Sequence, residues 1–165
     1  MKKQQKVDFN HFLEKFPELE LPVTLSEESQ LEFSRQNEPL PPLMVAQFIL
    51  PLEEEQPDEL TEYIACFRLP ETHVFHALVY WRGALLDYQY ILVTFTKEGR
   101  PIDKRPIAGT FSDGRSLTRT ITTIDEDWEI LMVSGHLATE KQVYKASSTT
   151  TKRLELLPDG RIVNI

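Results

Sequence analysis

The side chains that could perform chemistry in this chain are few, and the first to consider are one thiol and two imidazoles. Cys66, His73 and His76 fall on or beside one predicted pair of strands, and zinc prefers thiolate and imidazole ligands. Structural zinc sites, however, use paired Cys and His at short spacing with a defined fourth ligand, and this pattern lacks both. We therefore expect a buried thiol and ordinary histidines, with no metal and no other cofactor.

Covalent catalysis would need a nucleophile beside a base, and the best candidate is Ser134-Gly135-His136. A nucleophilic serine of this kind sits on a sharp turn between a strand and a helix, and no helical pattern follows it here. We assign no catalytic residue, and the sequence favours a protein that is not an enzyme. A hydrolase that uses His76 or His136 with a carboxylate is the least favoured alternative.

Four aromatic side chains, Trp81, Tyr80, Tyr88 and Tyr90, lie close together in sequence and form a candidate binding surface. Aromatic rings of this type pack through their faces while a hydroxyl or indole N–H reaches a polar partner. They could line a cleft for a small molecule or form a contact with another protein. The competing interpretation is that they belong to the hydrophobic core.

The uneven charge distribution favours solubility as its first explanation, and a docking surface for a basic protein partner is the second. The net charge is −8, and residues 1–60 carry 13 acids and 5 bases, which leaves 13 of each in residues 61–165. Nucleic-acid surfaces need clustered Lys and Arg, so this balance argues against nucleic acid as a partner. Glu53, Glu54 and Glu55 begin an acidic connection over residues 53–59 that could dock on a basic partner.

The preferred hypothesis is therefore a non-enzymatic interaction or accessory protein that uses the 53–59 loop or an edge strand. A small-molecule binder with an aromatic cleft is the alternative. Oligomeric state is left open.

The elements that must position these residues are organised around two apolar runs, 74–81 and 85–95, joined by Arg82-Gly83-Ala84. Their length and their β-branched and aromatic content predict a hairpin of two strands. The first run is apolar on both alternating faces, so it must be covered on both sides. We expect a hairpin enclosed between two layers.

Two helices are predicted before the sheet. Phe9, Phe12, Leu13 and Phe16 have the spacing of one helical face, ended by Pro17, and Ser26 is a candidate cap for a second helix. We expect both helices to cover the face that the central strands leave open.

Strands are predicted over the apolar run 43–50, over 62–69 and over most of the later chain, with a last hairpin at 158–161. The predicted fold is one domain, residues 1–165, that is mainly β (α+β). A helical cap, residues 1–42, precedes a curled antiparallel meander or open barrel of about eight to ten strands over 43–165.

The cellular location is predicted from three sequence features that are not found. One cysteine cannot form an internal disulfide, the first residues do not resemble a signal peptide, and no run of about 18 apolar residues is present. We expect a soluble cytoplasmic protein without a membrane partner.

Short motifs resemble those of β-rich proteins of unknown function from Bacteroidetes-type bacteria. They comprise Phe12 to Phe16, Leu21-Pro22, the hairpin from Thr94 to Asp103 and the closing turn from Asp159 to Ile162. The resemblance implies a bacterial protein with a β-rich fold, and it implies no activity.

Overall fold

The computed structural model describes residues 6–54, 56–138 and 148–165, and its main feature is an antiparallel sheet of nine strands. Strands β2 to β9 follow one another in chain order across the sheet. β1 stands outside this order and pairs with β6. The sheet is curled but not closed, which confirms the predicted fold class. The strands are β1 Val23–Leu25, β2 Glu62–Arg68, β3 Phe75–Ala84, β4 Asp87–Thr96, β5 Pro101–Ser112, β6 Ser116–Ile124, β7 Glu129–Ala138, β8 Thr149–Leu156 and β9 Ile162–Asn164.

Three short helices precede β2: α1 Phe9–Glu14, α2 Ser29–Gln36 and α3 Pro42–Met44. α3 continues as a π-helical stretch, Val45–Ile49, and a 3₁₀ turn, Leu50–Leu52. The prediction of a strand over 43–50 is therefore wrong, and the helical cap extends to residue 52. Pro42 occupies the first turn of α3, where its missing N–H costs nothing and its fixed φ favours a helix.

The central hairpin β3–β4 is buried on both sides, as the sequence predicts. Leu78, Tyr80 and Val93 face an outer core formed with α1 and the helical segment 42–52. The opposite, inner face contributes to a core that is enclosed by the curl of the sheet. Its members include Val79, Trp81, Tyr90, Leu92, Ile107, Ile124, Leu154 and Ile162.

α2 does not join α1 on the outer face, which corrects the prediction that both helices cover the same side. It lies against β2 on the inner side, where the rings of Phe33 and Phe67 stack with centroids 5.8 Å apart. Its first residue is Ser29, three residues after the predicted cap Ser26. α2 follows β1 directly, and β1 is placed by its pairing with β6, Leu25 opposite Thr122.

The β3–β4 turn lies two residues later than predicted. β3 continues through Gly83 to Ala84, and the turn is made by Leu85 and Leu86, with Leu86 at φ 61°. Gly83 belongs to the strand because it pairs with Glu62 and Tyr88, and the indole of Trp81 lies over it. A Cβ at that position would be 2.3 Å from the ring, closer than atoms can pack.

The β4–β5 and β8–β9 hairpins turn at glycines that the sequence predicts to lie in turns. Gly99 and Gly160 have φ of 90° and 94° in the turns that the sequence predicts around them, which is the conformation that glycine adopts most readily. None of the helices among the described residues combines the length and the apolar character needed to cross a membrane.

Candidate functional site

A cleft of about 570 Å³ lies between α2 and the inner face of the sheet, at the end where the hydrophobic core stops. Two walls form it, one helical and one built from strands β2 to β5. The helical wall consists of Glu27, Gln30, Leu31 and Ser34, and the strand wall of Glu62, Ile64, Trp81, Tyr88, Tyr90, Gly109 and Thr110.

Strand pairing arranges the strand wall in two rows that cross the sheet. The deeper row is apolar and runs Ile64, Trp81, Tyr90 and Ala108 on four successive strands. The row at the rim runs Glu62, Gly83, Tyr88, Thr110 and Arg119 on five. Side chains directly opposite each other on paired strands point to the same face. The cleft therefore has an apolar floor and a rim that carries polar groups.

Stacked aromatic rings form the centre of the strand wall. The indole of Trp81 and the ring of Tyr88 are nearly parallel, with an angle of 9° and centroids 5.6 Å apart. Trp81 is buried, whereas Tyr88 is 42% exposed. Gly83 makes this stack possible, since its missing side chain leaves room for the indole beside Tyr88.

Two polar contacts hold the segment around α2 against the strands. The Tyr90 hydroxyl donates to the Ser26 carbonyl at 2.9 Å, and Arg119 Nε lies 3.0 Å from Glu27 Oε2. Burial raises the pKa of Tyr90, so this phenol stays protonated and available as a donor. These contacts fix the position of the helical wall over the rows of strand residues.

The two charged residues that line the cleft are both acids. Glu27 is paired with Arg119, and both side chains are roughly half exposed. Glu62 is exposed, and among the described residues its carboxylate makes no ion pair or hydrogen bond. Over the part of the chain that the structure describes, the rim therefore carries one carboxylate with a partner and one without.

Three of the four predicted aromatic residues, Trp81, Tyr88 and Tyr90, come together in this cleft. Tyr80 does not, because neighbouring residues of a strand face opposite sides and Tyr80 points into the outer core. Its hydroxyl lies 3.4 Å from Glu53 Oε1. Burial raises the pKa of Tyr80, and the charge of Glu53 raises it further.

The acidic residues predicted to dock a partner are divided between the interior and the surface. Glu53 turns inward to Arg82, whose Nε is 3.5 Å from Glu53 Oε2, and the Glu53 side chain is only 10% exposed. Arg82 also contacts Asp87 Oδ2 at 3.7 Å. Glu54 is exposed, and Glu55 lies outside the described residues. Glu53 thus attaches the 53–61 connection to the hairpin and is not displayed as a docking group.

The outer edge of β2 is partly covered. The Asn37 side-chain amide donates to the carbonyls of Ala65 and Cys66 at 2.7 and 2.8 Å. Arg68 exchanges backbone hydrogen bonds with Pro17 and Leu19. An added strand would therefore have to displace these contacts over 65–68.

The residues considered for catalysis or metal binding are dispersed. His136 contacts the hydroxyls of Thr118 and Thr150, and His76 packs beside Phe9. Neither imidazole contacts a carboxylate among the described residues. Over the same residues, no three His, Cys, Asp or Glu side chains lie close enough to share a metal ion. Cys66 is buried, and its burial raises the pKa of its thiol, which disfavours the reactive thiolate.

The helical wall of the cleft was missed from the sequence. Glu27, Gln30, Leu31 and Ser34 are spaced as one side of a helix, which is the signal that could have grouped them. Only one of the four is apolar, so this side does not show the hydrophobic stripe by which a helix face is usually found.

A second, smaller depression of about 150 Å³ lies between the ends of β4 and β5 and the strands β6 and β7. It includes Gln89, Pro106, Phe111 and Thr118. Its volume is below that of typical small-molecule sites, so the cleft under α2 is the stronger candidate.

Comparison of the chain with models of protein families, with curated proteins and with solved structures finds no match. The resemblance to β-rich proteins of Bacteroidetes-type bacteria stays a prediction. The function of the cleft is therefore inferred from its own geometry.

Proposed function

We propose that this protein binds a small organic molecule in the cleft between α2 and the sheet. The observation that carries the proposal is a concave space of about 570 Å³ in which Trp81, Tyr88 and Tyr90 converge. Sites for small molecules commonly enclose roughly 300–1,000 Å³, with apolar and aromatic walls and a few polar groups. The cleft matches this description in size and in composition.

The energetic basis is the removal of apolar surface from water. A ligand that covers the exposed part of Tyr88 and the apolar row beneath it gains about 25 cal/mol for each Å² of apolar area buried. Thr110 and Gln30 stand on opposite walls of the cleft, so polar groups are available on either side of a bound molecule. We therefore expect a ligand whose body is aromatic or aliphatic.

The protein-interaction hypothesis has less support in the structure. Glu53 is turned inward, and the edge of β2 is covered over 65–68. The cleft, in contrast, is concave and exposes the ring of Tyr88 to solvent above the buried rings of Trp81 and Tyr90. Shape and exposure thus favour a small ligand over the docking of a partner on either of the two predicted surfaces.

The test uses N-phenyl-1-naphthylamine, an uncharged aromatic probe whose fluorescence rises in apolar surroundings. Ser34 is an exposed cleft residue on α2, so Ser34→Trp would fill the space without disturbing a buried contact. Gln36→Trp is the matched control, because Gln36 is also exposed on α2 but does not line the cleft.

We expect the wild type and Gln36→Trp to bind the probe with similar affinity. Ser34→Trp should weaken binding by about tenfold or more, equivalent to ~1.4 kcal/mol. Equal binding by all three proteins would place the probe elsewhere and contradict the proposal. Absence of binding by the wild type would contradict it as well.

A further inference from the structure

We propose that the natural ligand of this cleft is an organic cation, an ammonium or guanidinium group attached to an apolar body. This inference rests on the proposed function and adds the charge of the ligand to it. Three features of the cleft carry the inference: the sign of its charges, the lack of a partner for Glu62 among the described residues and the position of the aromatic rings in the same row.

The charges around the cleft leave a net negative rim. Glu27 and Glu62 line it, whereas Lys, Arg and His are absent from its described lining. Glu62 and Arg119 are at the two ends of the rim row. The guanidinium of Arg119 is already paired with Glu27, with Nε 3.0 Å from Oε2. An anionic ligand would have to compete with Glu27 for Arg119. A cation meets Glu62 with no competitor among the described residues.

The aromatic stack occupies the neighbouring positions of the same row. Gly83 lies opposite Glu62 on one side and Tyr88 on the other, and the six-membered ring of Trp81 extends over Gly83. The indole therefore lies over the strand between those that carry Glu62 and Tyr88, and each of these two strands is about one strand spacing or roughly 5 Å away. Trp81 is buried and Tyr88 is 42% exposed, so a ligand cation between the strands of Glu62 and Tyr88, which are roughly 10 Å apart, would meet the Tyr88 ring.

Aromatic faces and carboxylates attract the same kind of group. The face of an indole or phenol ring carries partial negative charge and binds ammonium and guanidinium groups, while the apolar body of the ligand covers the ring. A carboxylate beside the ring adds a Coulomb attraction that depends on ionic strength. The same field opposes an anion of equal shape, so the cleft should discriminate by charge as well as by size.

The experiment compares two competitors with the same benzyl body and opposite charge, benzyltrimethylammonium and benzylsulfonate. Each displaces the neutral probe N-phenyl-1-naphthylamine at low ionic strength, from the wild type and from two variants. Glu62→Gln removes the unpaired carboxylate and keeps the shape of the side chain. Glu98→Gln is the control for net charge, since Glu98 is exposed in the β4–β5 turn and does not line the cleft.

We expect the cation to displace the probe from the wild type at about tenfold lower concentration than the anion, which corresponds to one cation–π contact supported by a nearby carboxylate. Glu62→Gln should reduce this ratio to about threefold or less, since only the paired Glu27 remains. Glu98→Gln should keep the wild-type ratio. The neutral probe should bind all three proteins equally well, which also shows that the variants are folded.

Three results would overturn the proposal. Equal displacement by both competitors, or a preference that Glu62→Gln leaves unchanged, contradicts a cationic ligand while the neutral probe still demonstrates a binding cleft. Failure of the wild type to bind the neutral probe contradicts the proposed function, and the cationic ligand with it.

Discussion

At the scale of single residues, the cleft depends on two glycines that permit close approach. Gly83 leaves the space that the indole of Trp81 fills. Gly109 has φ of 153°, and a Cβ there would lie 2.1 Å from the carbonyl oxygen of Tyr88. Backbone cannot retreat as a side chain can, so β5 reaches this close to β4 only with glycine at 109.

Gly109→Ala should therefore destabilise the fold by roughly 1–3 kcal/mol, because it introduces backbone strain at a conformation unsuited to alanine. Gly135→Ala is the control, since a Cβ at Gly135 meets no atom of the described residues within 4 Å, and this substitution should be neutral or stabilising by about 0.5 kcal/mol. Urea denaturation of the three proteins measures both effects. Equal stability of Gly109→Ala and the wild type would show that the contact between β4 and β5 is not as close as described.

The residue scale also shows why only part of the site was predictable. Composition indicates the aromatic cluster, whereas the alternation of strand faces separates Tyr80 from Trp81 and excludes Tyr80 from the cleft. The acidic composition of 53–59 predicts that Glu53 is displayed on the surface, and charged residues are mostly exposed. The inward contact of Glu53 with Arg82 joins residues far apart in sequence, and no local pattern indicates such a pairing.

At the scale of elements, α1 is the part that makes the outer face of the hairpin a core. Phe12 is 1% exposed, and its ring stacks on that of Phe48 with centroids 4.7 Å apart. The rings of Phe16 and Phe95 lie edge-on to the ring of Phe12, with centroid distances of 5.0 and 6.3 Å. α1 has only six residues, too few to be stable alone, so its helical form depends on this packing.

Phe12→Ala should cost about 3–5 kcal/mol, the range for removing a large aromatic side chain from a packed interior. Phe111→Ala is the control, because Phe111 is 52% exposed, and the loss there should stay within about 1 kcal/mol. Thermal or urea unfolding gives both values. A cost for Phe12→Ala as small as that for Phe111→Ala would mean that α1 is not part of the folded core.

The elements of the sheet were largely predictable, with two exceptions. β1, Val23–Leu25, lies within the segment 1–42 that is predicted to be a helical cap, and its three residues are too few to show a strand pattern. The other exception, the run 43–50, has a physical cause. Alternation, turn glycines and β-branched residues indicate β2 to β6 directly, and the structure has all five. The run 43–50 is continuously apolar, and such a run fits a buried helix as well as a buried strand. The signal that decides between them is Pro42 at the start of the run, where proline favours a helix.

At the scale of the whole molecule, the curled sheet is filled at one end and open at the other. The filled end is closed by the β8–β9 hairpin, whose Gly160 carbonyl accepts a hydrogen bond from Thr94 at 2.6 Å. Ile162 and Leu156 belong to the inner core there. At the other end α2 covers the sheet incompletely, and the space between them is the cleft.

This division explains how the cleft forms without a ligand to organise it. β3 and β4, which carry Trp81, Tyr88 and Tyr90, are packed from the outside by α1 and the 42–52 segment. Their inner faces continue from the filled core into the cleft. Support from both sides restricts the side chains that would contact a ligand, which lowers the entropic cost of binding.

The most direct test of the binding cleft is to follow the backbone amide signals of the nitrogen-labelled protein by NMR while N-phenyl-1-naphthylamine is added. The structure predicts that the largest shifts occur along α2 and in the rows around Trp81, Tyr88 and Thr110. Signals from the 158–161 turn, at the filled end, should stay in place. Shifts centred on the depression beside Phe111 and Thr118, or no saturable shifts at all, would contradict a ligand site under α2.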